Sequence, residues 1–224
     1  MSTVVDVDGL VVRYGAATAL DGIDLFVDAG ELVALIGPNG AGKSTLLNAL
    51  AGILAPAAGR CEVRGRLAVV PEGREVFPDL SVDDNLRLGG WRNGRGGRDT
   101  SAIYDLLLDL VRVRRQRAGA LSGGQQQMVA VGRALMARPD EVVVDELSLG
   151  LAPLVVADLV RHLRELNSER GIAVLLIEQN ARLALDLCTR AYVLEAGRVV
   201  LHGPSAELAG SEQVAAAYLG GAVT

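Results

Sequence analysis

The chain has 224 residues, half of them apolar and 3% aromatic, with a net charge of −5. That length suits one large α/β domain, or such a domain with an inserted subdomain, and the acidic balance speaks against a general nucleic-acid binder. No apolar run approaches the ~18 residues that span a bilayer and the N-terminus carries no signal-peptide pattern, so a soluble, cytoplasmic protein is expected.

Short strands are predicted at Val4–Val7, Leu10–Tyr14 and Ile23–Val27, separated by turns at Asp8-Gly9 and Gly15-Ala16. Tyr14 reads either as a solvent-facing strand residue or as a flat ring on which a base could stack. Leu32 to Ile36 reads as a buried parallel strand and Leu46 to Leu50 as a helix. Between them lies Gly37-Pro38-Asn39-Gly40-Ala41-Gly42-Lys43-Ser44-Thr45, a full G-x-x-x-x-G-K-[ST] pattern in its strand-to-helix context. Glycines there let successive N–H groups turn inward on phosphate oxygens. Lys43 adds a mobile positive charge for the β and γ phosphates, and the Ser44 hydroxyl is placed to ligate Mg²⁺. By itself the motif says only that a nucleoside triphosphate binds.

Strands follow at Arg60–Val63 and Leu67–Val70, the latter broken by Pro71-Glu72-Gly73-Arg74. Glu72 is either solvated or reaches a metal or water at the sheet's carboxyl edge. Val82–Leu88 reads as a helix, Gly89–Gly97 as a loop, and Ser101–Val113 as a helix with Ile103, Leu106, Leu107 and Leu110 on one face. The block reads as an inserted helical subdomain over about 81–137. Its arginines at 92, 95, 98, 112, 114, 115 and 117 suit a solvated surface or a docking surface equally.

Leu121-Ser122-Gly123-Gly124-Gln125 opens a helix running to Ala137, with Ser122 as a plain N-cap or as part of an anion-binding helix start. The run Val142–Val144 delivers Asp145 and Glu146 to the edge where the phosphate loop lies. Adjacent carboxylates there suit a metal, held by the first, and an attacking water, activated by the second. Then come a helix over Leu154–Asn167, a strand over Ala173–Ile177 ending at Glu178-Gln179-Asn180, a helix over Arg182–Cys188, a hairpin of Ala191–Glu195 with Val199–His202, and a closing helix over Glu212–Leu219. Cys61 and Cys188 match no metal or redox spacing and read as ordinary thiols.

The phosphate loop at 37–45, LSGGQ at 121–125 and the valine run into Asp145-Glu146, in that order, resemble the nucleotide-binding domain of ABC transporters over essentially the whole chain. The stretches Val70–Arg74, Gly132–Pro139, Ser148–Pro153 and Glu178–Leu185 are similar to the smaller ATP-binding subunit of branched-chain amino acid importers, to which urea and short-chain amide subunits are related. The resemblance implies a P-loop NTPase (RecA-like) core with an N-terminal antiparallel β subdomain and the inserted helices, ATP and Mg²⁺ as ligands, and ATP hydrolysis coupled to import.

It further implies that two such subunits pair head to tail, each ATP lying between one phosphate loop and the other subunit's Ser122, Gly123, Gly124 and Gln125. Two membrane-spanning permease subunits, an extracytoplasmic solute-binding protein acting indirectly, no nucleic acid, and a place on the cytoplasmic membrane face follow. The membrane subunits are expected against Glu72 to Leu88 and the adjoining helices. Tyr14 takes the adenine-stacking position, Ser44 and Asp145 the Mg²⁺ positions, and Glu146 that of the catalytic base beside Lys43. Glu72 stands where most of the family has glutamine, and Gln179 where most has the switch histidine. Gln179 can donate a hydrogen bond but cannot become cationic, so slow hydrolysis by the isolated subunit is expected. Leu147 replaces the family's proline, Ala152 its aspartate, and Glu141 an apolar residue. These departures leave open a regulatory cassette that binds ATP with little hydrolysis.

Overall fold

The computed structural model describes residues 2–211 and Val214, the side chains at 95 and 96 excepted. The expected closing helix over Glu212–Leu219 lies outside the described residues, Val214 apart. In chain order the strands are β1 (Thr3–Tyr14), β2 (Ala17–Asp28), β3 (Leu32–Ile36), β4 (Ala58–Val63), β5 (Leu67–Val70), β6 (Glu141–Asp145), β7 (Ala173–Glu178), β8 (Arg190–Glu195) and β9 (Arg198–Pro204). The α-helices are α1 (Lys43–Leu50), α2 (Val82–Gly89), α3 (Ser101–Leu106), α4 (Gly123–Leu135), α5 (Pro153–Arg170), α6 (Ala181–Leu187) and α7 (Ser205–Ala209).

Alternation builds the first sheet. Val5, Val7, Leu10 and Val12 of β1 and Leu20, Ile23, Leu25 and Val27 of β2 are buried on one face, while residues between them remain partly or fully exposed. The register slips between Val7 and Leu10, so a bulge at Asp8-Gly9 keeps the apolar set on one side. One long strand therefore replaces the two expected there. With β4 these strands form an antiparallel sheet of order β2-β1-β4.

The second sheet has the order β5-β6-β7-β3-β8-β9 and is parallel except for β9. Every residue of β3, β6 and β7 is buried, as the continuous apolar runs require of strands covered on both faces. On one face Val33, Leu35, Val143 and Leu175 pack with α1 and the antiparallel sheet. On the other, Ile36, Val144, Val174 and Leu176 pack with the remaining helices.

Between β5 and β6 the helical block departs from expectation twice. Residues 89–97 are not an open loop: Trp91–Arg98 forms tight 3₁₀ turns kinked at Gly94. The helix expected over Ser101–Val113 ends at Leu106, because Leu107 leaves helical geometry (φ −109°, ψ 67°) and Leu108–Val113 continues as 3₁₀. The physical reason is spacing. Leu107, Leu110 and Val113 recur every third residue, which lines up in a three-residue turn, and all three are buried while Leu106 is only partly so. Asp83 of α2 holds the block together by accepting from Thr100 Oγ1 and Tyr104 OH, both at 3.0 Å, and pairing with Arg87 at 2.7 Å.

Candidate nucleotide site

Parallel neighbours deliver their C-terminal turns to one edge. In the register Ile36 lies beside Glu178 and Asp145 beside Ile177, so the turns after β3, β7 and β6 emerge side by side. The turns after β3 and β6 border an open cavity of about 450 Å³, lined by Asn39, Gly40 and Gly42 to Thr45 of the glycine-rich loop, with Glu72 and Glu146 also on its wall.

The loop's shape depends on Gly42. Its φ of +112° is one an L side chain rarely adopts, and a Cβ there would lie 2.7 Å from Leu20 Cδ2. Because Gly42 is the N-cap, α1 starts at Lys43 and the N–H groups of Lys43, Ser44 and Thr45 have no acceptor within the helix. Those donors, the positive end of the helix dipole and the exposed Ser44 hydroxyl make an anion cradle. Lys43 is 6% exposed; its Nζ donates to Gly37 O at 2.8 Å and Pro38 O at 3.2 Å and sits 3.5 Å from Glu146 Oε1. The ammonium thus stands in the middle of the loop, already paired with a carboxylate.

Glu146 is left-handed (φ +48°), and its N–H bonds Ile177 O at 2.9 Å, which fixes the turn beyond β6 to the end of β7. Leu147 beside it is fully buried in the helical-side core. Burial, then the charges of Glu146 and Glu72, push the Asp145 carboxyl up to about 6, with Lys43 opposing. Burial likewise raises Glu178, against hydrogen bonds from Ser148 and Asn180. Ser44 and Glu72 line the cavity and Asp145 does not, although the charge of Glu72 reaches its carboxyl; all three carry oxygen donors, the kind a hard divalent cation takes.

The ABC transporter family model matches residues 20–148, more than half of the chain. This chain belongs to the ABC transporter family. It is 44% identical to the high-affinity branched-chain amino acid transport ATP-binding protein BraG of Pseudomonas aeruginosa, over 96% of this chain and 98% of that one. It is 35% identical to the phosphonates import ATP-binding protein PhnC of Frankia casuarinae, over 96% and 95% respectively. Among solved structures, the ADP conformation of MJ1267, an ATP-binding cassette of an ABC transporter, superposes with a TM-score of 0.86 at 26% identity, covering 99% of this chain and all of that one. The fold is that of these cassettes, and the chain is an ATPase.

The cassette gathers some of the expected residues and leaves others apart. Gly37 is buried behind the loop with its N–H on Glu178 O, 3.3 Å away, Pro38 offers its carbonyl to Lys43, and Ala41 O accepts from Gly197 N at 2.9 Å. Tyr14 is 52% exposed at the tip of the β1–β2 hairpin and does not line the cavity, whereas Thr18 and Ala19 of the same hairpin do. Gln179 lines an adjoining cavity of about 300 Å³ together with Glu146, Ser148 and Glu178.

Ser122 to Gln125 border neither cavity. Instead Ser122 and Gln125 form a reciprocal capping box: Ser122 Oγ accepts from Gln125 N at 3.4 Å and Gln125 Oε1 from Ser122 N at 3.2 Å. Gly124 is buried against α5, where a Cβ would fall 2.2 Å from Val155 Cγ1, and the Arg74 guanidinium covers Gly123. Sequence reasoning missed the roles of Thr18, Ala19, the Ala196-Gly197 turn and Glu178. The Ala196-Gly197 hairpin turn itself is expected from the sequence and is present, both residues left-handed (φ 45° and 78°). Nothing local marked its contact with the phosphate loop.

Proposed function

We propose that this cassette binds and hydrolyses ATP to energise an importer of branched-chain amino acids. The observation that carries the solute is the 44% identity to BraG over nearly the full length of both chains. Residues 1–224 form one nucleotide-binding domain with helices inserted over about 81–137. It works as a pair with a second ATP-binding subunit on the cytoplasmic face of the cell membrane, beneath two permease subunits fed by a solute-binding protein. No described helix is long and apolar enough to cross a membrane.

In the hydrolysis step Lys43 exchanges the carbonyls of Gly37 and Pro38 for the β and γ phosphates, which frees Glu146 from the ammonium. Backbone N–H groups over Asn39 to Thr45 hold the phosphates, and Tyr14 stacks on the adenine. Ser44, Asp145 and Glu72 hold Mg²⁺, which neutralises charge on the phosphates when bound. Water attacks the γ-phosphorus and gives a proton to Glu146 as the bond from that phosphorus to the β-phosphate oxygen breaks, releasing ADP and inorganic phosphate. Gln179 donates to the γ-phosphate and stays neutral. The capped start of α4, with Ser122, Gly123, Gly124 and Gln125, serves the triphosphate of the other subunit.

The permease surface is the patch where Phe77, Leu80, Leu88 and Trp91 are 49%, 36%, 40% and 73% exposed, beside a groove of about 740 Å³ edged by Arg92 and Arg133. The test is reconstitution with the membrane subunits in proteoliposomes, comparing ATP-driven uptake of leucine, urea and acetamide. Leucine uptake is expected, and Glu146→Gln is expected to lower ATPase activity by on the order of 10²-fold or more. Uptake of urea without leucine would sink the solute assignment, and unchanged hydrolysis by Glu146→Gln would sink the assignment of the base.

A further inference from the structure

Glu178 is 1% exposed, and among the described residues no cation forms a salt bridge with it. A buried carboxylate without a cation is retained at a cost unless its hydrogen bonds do something an apolar residue could not. Here they join separate segments. Oε1 accepts from Ser148 N at 2.9 Å and Oε2 from Ser148 Oγ at 3.1 Å, gripping the loop two residues beyond Glu146. Oε2 also accepts from Asn180 N at 3.4 Å, across the turn that carries Gln179. The backbone carbonyl of the same residue accepts from Gly37 N at 3.3 Å, at the entrance to the phosphate loop.

The loop so gripped has little other freedom. Glu146 N bonds Ile177 O at 2.9 Å, Leu149 N bonds Glu146 O at 3.3 Å and Leu151 N bonds Ser148 O at 3.2 Å. Ser148 is thus the middle of a short hydrogen-bonded turn whose first residue is Glu146. Displacing Ser148 displaces Glu146, and the cavity bordered by Glu146, Ser148, Glu178 and Gln179 changes shape with it. Charge-assisted bonds from a carboxylate hold such a turn more firmly than a hydroxyl or amide at the same position.

We propose that Glu178 is a positioning residue for hydrolysis: it ties the phosphate loop, the turn of Glu146 and the turn of Gln179 into one unit, so that base and γ-phosphate keep a fixed separation. Glu178 contacts neither water nor phosphate in this role and acts through Ser148 and the backbone. The inference rests on Glu146 being the base, as proposed above.

The test uses the assembled transporter, measuring kcat and KM for ATP together with the Kd of a fluorescent ATP analogue. Glu178→Ala is expected to lower kcat on the order of tenfold to a hundredfold, the size of loss that small misplacements cause, with KM and Kd changed by less than about threefold. Glu178→Gln keeps an oxygen for Ser148 N and is expected to recover at least about half of kcat, while Ser148→Ala, which deletes one of the two Ser148 bonds, falls between. A normal kcat in Glu178→Ala would overturn the proposal. So would a loss matched by an equal loss of nucleotide affinity, or a Glu178→Gln variant as slow as Glu178→Ala. Should Glu178→Ala fail to fold, a normal kcat in Ser148→Ala overturns it equally. Glu146→Gln separates the two readings: an active Glu146→Gln removes the base assignment, whereas an inactive one beside a fast Glu178→Ala removes only this inference.

Discussion

Glu141 opens β6 between Leu67 of β5 and Ala173 of β7, on the same face as Val143, the side covered by α1 and the antiparallel sheet. It is 1% exposed and among the described residues neither carboxylate oxygen has a hydrogen-bond partner. Burial alone pushes its carboxyl from 4.5 up to about 8. The folded state therefore keeps a proton that the unfolded chain releases above pH 4.5, so stability falls as pH rises from there to about 8 and is flat beyond. At about 1.4 kcal/mol per pH unit, the penalty grows to roughly 3 kcal/mol at pH 7 and roughly 5 at pH 8. Glu141→Leu removes the proton and the unpartnered oxygens at similar volume. Urea unfolding of wild type and variant, followed by far-UV circular dichroism from pH 5 to pH 8.5, should give a stability difference favouring the variant and widening by several kcal/mol across that range. Taking the difference cancels the other raised carboxyls, Asp145 and Glu178. A difference that stays constant with pH would refute the reasoning, because it would mean that the Glu141 carboxylate is ionised and satisfied throughout.

Asn85 is fully buried and bonds Phe77 N at 2.9 Å, Phe77 O at 3.0 Å and Ser81 O at 3.0 Å, so Asn85→Ala should cost about 2–3 kcal/mol in chemical denaturation and, in the transporter, weaken coupling of ATP hydrolysis to uptake. Leu147→Ala should cost about 2–5 kcal/mol by opening a cavity in the helical-side core, read as a lower urea midpoint with unchanged slope. Ser122→Ala removes the cap of α4 and should cost about 1 kcal/mol of stability, while ATP-driven uptake falls far more than that loss explains. Uptake equal to wild type in Ser122→Ala would contradict the role given to α4 at the other subunit's nucleotide.

Much of the site could be read from sequence because its parts are local. A phosphate loop must have glycines where the chain turns tightly, so the spacing of Gly37, Gly40 and Gly42 before Lys43 announces it without tertiary information. The same holds for β3 and β7, whose uninterrupted apolar runs predict strands buried on both faces. What stayed hidden depends on contacts distant in sequence. Glu178 looked like an acid at a strand's end, and only the neighbouring position of β6 and β7 shows Ser148, thirty residues earlier, across from it. The break at Leu107 stayed hidden for another reason: Ile103, Leu106, Leu107 and Leu110 fit a helical period, and the alternative spacing through Val113 prevails only once the packing against α4 is known.

The leucine at 147 shows how the two kinds of information combine. Proline at this place would set the backbone beyond Glu146 through its ring, and its absence suggests a looser turn. In the structure other restraints act at the same point. Glu146 takes a left-handed conformation, its N–H is held by Ile177 O, the next side chain is anchored in the apolar core, and the residue after that is gripped by Glu178. Four consecutive residues, 145 to 148, are therefore fixed by strand pairing, a backbone bond, burial and a carboxylate in turn. A turn held in this way does not need a rigid ring, and the loss of proline argues no weaker placement of Glu146. What remains movable is the partner that Glu146 faces, since Lys43 can leave its 3.5 Å contact for a phosphate while the turn itself stays in place.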